Sequence, residues 1–238
     1  MLNKNVGGRW ITMIKPIFVL AETALETIPD EIRNDRTVVS YCKKKRKNAC
    51  EVLLDQSYHH KAILKLKDHE KRGRPDIAHF SLLEATCIPL YFENRLRVYV
   101  HTIGDKIIEI GENVRLPRIY ERFVGLIEKL YSKNVIVSDN KVLLRLYNGT
   151  LKDLIVKLKP SIVIGLSRLG KESNFKNVAL FGLKYERPIF IVGGFAKGTF
   201  KDENKLLMDH VFSISKYSLD AHIVVARLLY ELEKNWIQ

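Results

Sequence analysis

Two glycine-bearing strings and a set of arginines and histidines are the residues of this chain whose types and spacing could do chemistry. The first string, Gly165-Leu-Ser-Arg-Leu-Gly170-Lys171-Glu172, follows an apolar run and falls one residue short of a phosphate-binding loop. That loop needs Ser or Thr after its Lys to hold Mg²⁺, and Glu172 has no hydroxyl to offer. The second, Gly193-Gly-Phe-Ala-Lys-Gly198-Thr199, supplies the Thr but no Lys directly before it. Neither is a GxGxxG dinucleotide fingerprint, so by themselves these glycines turn the chain after strands. His59 and His60 are adjacent, so their side chains diverge and cannot share a metal as an i, i+4 pair would. His79 and His101 sit in apolar runs that suit core histidines better than ligands, and no metal site is expected. Cys42, Cys50 and Cys87 form no CxxC pair, which argues against a disulfide framework and fits a reducing cytoplasmic setting.

Short apolar runs mark the elements that must position these residues. Ile17–Ala21, Val52–Leu54, Arg97–His101, Ser161–Gly165 and Pro188–Val192 are predicted to be buried strands. Pro117 to Tyr131 puts Ile119, Phe123, Leu126, Ile127 and Leu130 on one helical face, with Pro at the first helical position. Arg118 and Arg122 would then share a face, beside backbone N–H groups that favour an anion. A second helix is predicted to start after Arg74-Pro75, with Asp76 near its positive end. Leu219 to Trp236 reads as a C-terminal helix whose apolar stripe is broad enough to pack on a second subunit as well as the core. Strands alternating with helices predict an α/β fold with a mostly parallel sheet. The expected organisation is an N-terminal extension over 1–15 and one domain over 16–238, with an elaboration inserted between core elements at about 56–113.

The charge points to the partner. The chain has 238 residues, 46% hydrophobic and 28% charged, the balance of a globular protein. Lys and Arg number 40 against 27 Asp and Glu, a formal charge of +13 that argues for a polyanionic partner. No apolar run approaches the ~20 residues that span a bilayer. Between Arg33 and Arg74 lie 13 Lys and Arg against 5 Asp and Glu, including the block Lys43-Lys44-Lys45-Arg46-Lys47. That block reads as a solvated basic loop, and it lacks the interleaved apolar residues of a membrane-surface helix. Arg95, Arg97, Arg115, Arg118 and Arg122 extend the basic footprint, so nucleic acid is preferred over a membrane.

Six strings occur in order: Leu53-Leu-Asp55-Gln-Ser57-Tyr-His59-His60, Arg74-Pro75-Asp76-Ile-Ala-His79, Val98-Tyr-Val-His101-Thr102, Leu116-Pro117-Arg118-Ile-Tyr-Glu-Arg122-Phe123-Val-Gly125-Leu126, Val192-Gly193-Gly-Phe195-Ala196-Lys-Gly198 and Ser213-Ile-Ser215-Lys-Tyr217-Ser-Leu219-Asp-Ala221. This series resembles the small-subunit ribosomal RNA pseudouridine-N1 methyltransferases, the Nep/Emg family of the SPOUT superfamily. The resemblance runs from about Ile17 onward; the first dozen residues lie outside it, and Met13 is a candidate natural start. It implies a SPOUT-type parallel sheet with a C-terminal trefoil knot, S-adenosyl-L-methionine held in the knot, and a homodimer. Pattern alone would have suggested an open doubly wound sheet, since true knots are almost absent among folds.

Carried over by motif, the implied cofactor contacts are Leu166, Gly193 and Gly198 with the stretch Ile214, Ser215, Lys216, Tyr217, Ser218 and Leu219. Gly194, Lys197, Ser218 and Asp220 depart from the family's GAFAHG and YPLSA strings, mostly in side chains that a backbone-lined pocket need not use. The implied RNA-binding cluster is Arg74, Arg115, Arg118 and Arg122. Arg74 and Asp76 are the implied catalytic pair, the arginine favouring the N1 anion and the aspartate fixing the arginine, with Asp76 as a general base the alternative role. The expected reaction is N1-methylation of a pseudouridine in small-subunit rRNA, in ribosome biogenesis, with ribosomal or assembly proteins as further partners. A catalytically silent RNA-binding assembly factor on the same fold is the alternative reading, and a nucleotide hydrolase built on 165–171 ranks third.

Overall fold

The apolar runs become strands of one eight-stranded sheet. The computed structural model describes residues 15–235, so Met13, nearly all of the 1–15 extension and Trp236 lie outside the described residues. The strands are β1 (Ile17–Thr23), β2 (Arg97–Thr102), β3 (Lys106–Ile110), β4 (Val135–Ser138), β5 (Lys141–Asn148), β6 (Ile162–Glu172), β7 (Pro188–Gly193) and β8 (His210–Ser213). The helices are α1 (Arg36–Lys45), α2 (Gln56–Ile63), α3 (Pro75–Thr86), α4 (Pro89–Phe92), α5 (Tyr120–Lys133), α6 (Leu151–Leu158), α7 (Phe175–Gly182), α8 (Asp202–Lys205) and α9 (Ala221–Lys234). Strand order is β4-β5-β3-β2-β1-β7-β6-β8. The half from β2 to β8 is parallel, and β3, β5 and β4 extend it by antiparallel pairing.

All of β1 is buried because both faces of the sheet are covered. Phe18 and Leu20 enter a core with Val98, Ile164 and Phe190, closed by Leu82 of α3, Phe123 of α5, Val178 of α7 and Val225 of α9. Ile17, Val19 and Ala21 enter a second core with Val163, Ile189 and Ile191, closed by Leu151, Leu154 and Leu158 of α6. Two-sided burial is what makes parallel strands read as unbroken apolar runs instead of alternating ones. A smaller cluster joins Val38 and Cys42 of α1 to Ala62 and Ile63 of α2.

Several expectations are corrected. Val52–Leu54 is buried but forms no strand; its one ladder contact is the Leu53–Thr27 bridge, and Val52 and Leu54 pack under α1 and α2. A three-residue apolar run cannot distinguish a strand from a buried connection. The helix expected from Pro117 begins at Tyr120, because Ile119 is extended at φ −82° and ψ 124°. Arg118 therefore precedes α5 and shares no helical face with Arg122. Ile119 is 52% exposed, while Phe123, Ile127 and Leu130 form the buried stripe.

The Lys43–Lys47 block is not a loop either. Lys43, Lys44 and Lys45 are the last turn of α1, Arg46 caps it in the left-handed region, and the Lys47 ammonium meets Glu128 at 2.5 Å. Cations at a helix C-terminus are favourable against the exposed carbonyls. The stripe of α9 is covered within the chain, where Val224, Val225, Leu228, Leu229 and Leu232 join the core beside α3 and α7, so its breadth gives no argument for a second subunit. The stretch 56–113 contains β2 and β3, which lie in the sheet itself.

Gly165 to Glu172, read as a near phosphate loop, runs within β6. The β6–β8 ladder slips between Leu166 and Lys171, both of which pair with Phe212. At Gly170 a Cβ would stand 2.6 Å from the carbonyl carbons of Val211 and Phe212. This glycine allows two backbones to touch, and no helix starts on it to receive a phosphate.

Candidate functional site

Where the parallel strands end, the turns that leave them enclose a cavity of about 330 Å³. Three segments form it: Leu166 to Arg168 in β6, Val192 to Phe200 at and after β7, and Ile214 to Val224, from the turn after β8 into the first turn of α9. The carboxyl ends of parallel strands are the general location for ligands in such sheets. Of the residues implied as cofactor contacts, Leu166, Gly193, Gly198, Ile214, Ser215, Tyr217, Ser218 and Leu219 line this cavity. Lys216 does not, and its ammonium lies 5.2 Å from the Tyr217 ring centroid.

The walls combine apolar side chains with unused backbone. Leu166, Val192, Ile214, Leu219 and Val224 supply apolar surface. Among the described residues, the backbone N–H groups of 195–200 donate to no backbone carbonyl, nor do those of 214–216, 218 and 219. An adenosyl group needs an apolar slot for its ring and backbone donors and acceptors at its edge, so these walls fit it. Gly198 adopts φ +93°, a region that side-chain-bearing residues rarely enter, and a Cβ there would approach Lys71 Cε at 3.3 Å.

A second cleft of about 210 Å³ adjoins the first, sharing Phe195, Ala196, Ser218, Leu219 and Ala221 with it. Arg74 and Asp76 lie in its wall. Arg74 is the N-cap of α3 and Pro75 its first residue, so both members of the pair sit at a helix start. Arg74 Nε donates to Asp76 Oδ1 at 2.8 Å and its terminal nitrogen to Oδ2 at 2.7 Å. This fork fixes the guanidinium plane, and the Asp76 hydrogen bonds raise the Arg74 pKa above its ordinary value.

Phe80, one turn beyond Asp76 on α3, is half exposed in the same cleft, 5.6 Å from the His222 ring. Sequence reasoning missed Phe80 and His222. The available signal was the i, i+4 spacing of Asp76 and Phe80.

Arg115, Arg118 and Arg122 are exposed and line neither cavity, and among the described residues none forms an ion pair. Two contacts tie their segment to the Arg74 side. The His79 Nε2–H donates to the Pro117 carbonyl at 2.8 Å, and the Tyr120 hydroxyl donates to Asp55 at 2.5 Å. Burial and this acceptor push the Tyr120 pKa up. His101 is also structural: its Nδ1 accepts the Glu22 N–H and its Nε2–H meets Asp105. Among the described residues there is no cluster of three metal-ligating side chains. No helix there is long and apolar enough to cross a membrane.

Comparison with known proteins places this geometry among relatives. Residues 18–233 match the family model described as EMG1/NEP1 methyltransferase. The ribosomal RNA small subunit methyltransferase Nep1 of Thermococcus onnurineus is 40% identical over 222 residues, covering 92% of this chain and 98% of that protein. Its namesake from Pyrococcus furiosus is 40% identical over 185 residues, covering 78% of this chain and 82% of that protein. The crystal structure of Archaeoglobus fulgidus Nep1 bound to S-adenosylhomocysteine superposes with a TM-score of 0.84 at 31% identity, covering 94% of this chain and 100% of that one.

Proposed function

The chain belongs to the EMG1/NEP1 methyltransferase family, and from that premise we propose that it methylates N1 of a pseudouridine in small-subunit rRNA, using S-adenosyl-L-methionine. The observation that carries this reading is the shared wall between the two cavities. One has the walls an adenosyl group needs, and the other presents a clamped arginine to an acceptor. S-adenosylmethionine, when bound, supplies an electrophilic methyl group. Leu166, Gly193, Gly198 and the 214–219 stretch would hold it, chiefly through backbone groups.

Pseudouridine is joined to ribose through carbon, which leaves N1 with a proton that must pass to solvent water before N1 can attack the methyl carbon. A fixed cation beside the ring favours that anion. Arg74 is such a cation, and Asp76 orients it with both carboxylate oxygens. An aspartate with both oxygens engaged is poorly placed to take a proton, so Asp76 acts as an orienting group. The half-exposed Phe80 gives the cleft an aromatic face for a base taken out of its stack. Arg115, Arg118 and Arg122 hold the RNA backbone outside the cleft. A cytoplasmic homodimer with a knotted C-terminal region, acting in ribosome biogenesis, completes the reading by family likeness.

The test uses two small-subunit rRNA stem-loops that differ only in carrying pseudouridine or uridine at the target. The protein should transfer a labelled methyl group to the first and not the second, because N1 of uridine is already bonded to ribose. Mass spectrometry should place the methyl on N1. Equal transfer to both, or RNA binding with no transfer to either, would replace this reading, the latter with a silent assembly factor.

A further inference from the structure

Glu22 is unlike any other acid among the described residues. It is the penultimate residue of the apolar strand β1, is fully buried, and adopts φ +49° although it is not glycine. A bulky residue held in the left-handed region costs on the order of 1–3 kcal/mol, and such strain clusters where a surrounding structure needs it. Its carboxylate is saturated from two directions. Oε1 accepts the Lys201 backbone N–H at 2.7 Å and the Asn204 amide at 2.9 Å, while Oε2 accepts the Lys71 ammonium at 2.7 Å.

Lys71 reaches further. Its ammonium donates to the Thr199 carbonyl at 2.5 Å and lies 4.6 Å from the Phe195 ring centroid, and its stem runs beside Gly198. Phe195, Gly198 and Thr199 all line the larger cavity. Lys71 also stands three residues before Arg74, the cation of the adjoining cleft. One buried ion pair thus touches the loop that walls the cofactor cavity and the segment that carries the acceptor arginine. Buried ion pairs are weak devices for stability, because well-packed apolar residues often do as well. A saturated pair at a strained backbone is better explained by geometry that must be held.

We propose that Glu22 and Lys71 are positioning residues, which fix the 193–201 loop for S-adenosylmethionine and set it against the Arg74 segment. The proposal rests on the cofactor reading of the larger cavity and does not depend on the base that is methylated. Both residues act through the loop backbone and the cleft walls.

The test compares wild type with Glu22→Gln, Lys71→Met and Lys71→Arg. S-adenosylhomocysteine affinity is measured by calorimetry well below each Tm, and kcat and KM are measured on the pseudouridine stem-loop. Glu22→Gln and Lys71→Met should weaken S-adenosylhomocysteine by about tenfold or more, and Lys71→Arg, which keeps the cation, should restore most of it. KM for RNA should rise as well, since the same pair sets the Arg74 segment. If both variants lower Tm while their folded forms bind with wild-type affinity, the pair is only structural and the proposal fails. Should Glu22→Gln not fold, the two Lys71 variants decide alone, because Lys71 lies at the edge of the network and is 13% exposed. A wild-type protein that binds S-adenosylhomocysteine but methylates no pseudouridine would sink the assigned reaction and leave this proposal standing.

Discussion

His101 and His59 are both buried, and burial holds the pKa of each below the ordinary histidine value against the opposing pull of Asp105 and Asp55. His101 accepts the Glu22 N–H through Nδ1, so the neutral ring is the form that fits the network around the cavity loop. Both groups take up protons more readily in the unfolded chain, so the stability they allow is complete above the unfolded value. It declines as pH falls below about 6.5 toward the lower folded values. Thermal melts between roughly pH 7.5 and 5 should show Tm falling on the acid side, and His101→Gln should flatten that fall. A Tm that rises on acidification would contradict the buried neutral state. Arg74 and Asp76 show the other use of charge at this scale. The family resemblance implied the pair, and the two-pronged hydrogen bond makes the arginine a fixed instrument.

Helix α5 begins three residues later than proline at its first position would place it, and this changes the reading of the arginines before it. Pro117 gives its carbonyl to His79 of α3, and Ile119 stays extended, so Arg118 projects from a connection while Arg122 sits in the first helical turn. Both remain exposed beside a helix start, where backbone N–H groups favour an anion. Replacing both with Ala should weaken RNA binding and leave S-adenosylhomocysteine affinity unchanged. The slope of log affinity against log salt should flatten by about 0.7 for each phosphate no longer neutralised on single strands, or about 0.9 on a duplex-like stem. Binding titrations across a salt series measure it. An unchanged slope with reduced discrimination among loop variants would make these residues base readers.

At the scale of the whole molecule, Gly170 is where segments far apart in sequence bring their backbones into close approach, as β6 meets β8. With strands ordered β7-β6-β8, the connection from β7 to β8 must pass β6, and the cavity is made of the segments that meet there. A methyl group at Gly170 would press on the backbone carbons of Val211 and Phe212, which no rotamer change can relieve. Gly170→Ala should cost about 1–3 kcal/mol, and for a domain of this size Tm should fall by roughly 2–4 °C per kcal/mol. A thermal melt matching wild type would mean that the two strands separate without cost.

Some of this protein was determined by its sequence alone. The apolar runs located β1, β2, β6 and β7, because strands buried on both faces carry no alternation to confuse. The helix start after Arg74-Pro75, with Asp76 in its first turn, was legible because a proline at the first helical position is a local signal, whereas the pairing of Arg74 with Asp76 came from the family resemblance. The burial of Val52–Leu54 with a single bridge to Thr27 and the delayed start of α5 were decided elsewhere, by packing against α1 and α2 and by the His79 contact with Pro117. Glu22 and Lys71 lie 49 positions apart, and no local pattern joins them. Only the folded chain sets a strand end, the turn before α3 and the loop after β7 around one carboxylate, because a buried charge takes partners from whatever segments the tertiary structure brings within reach.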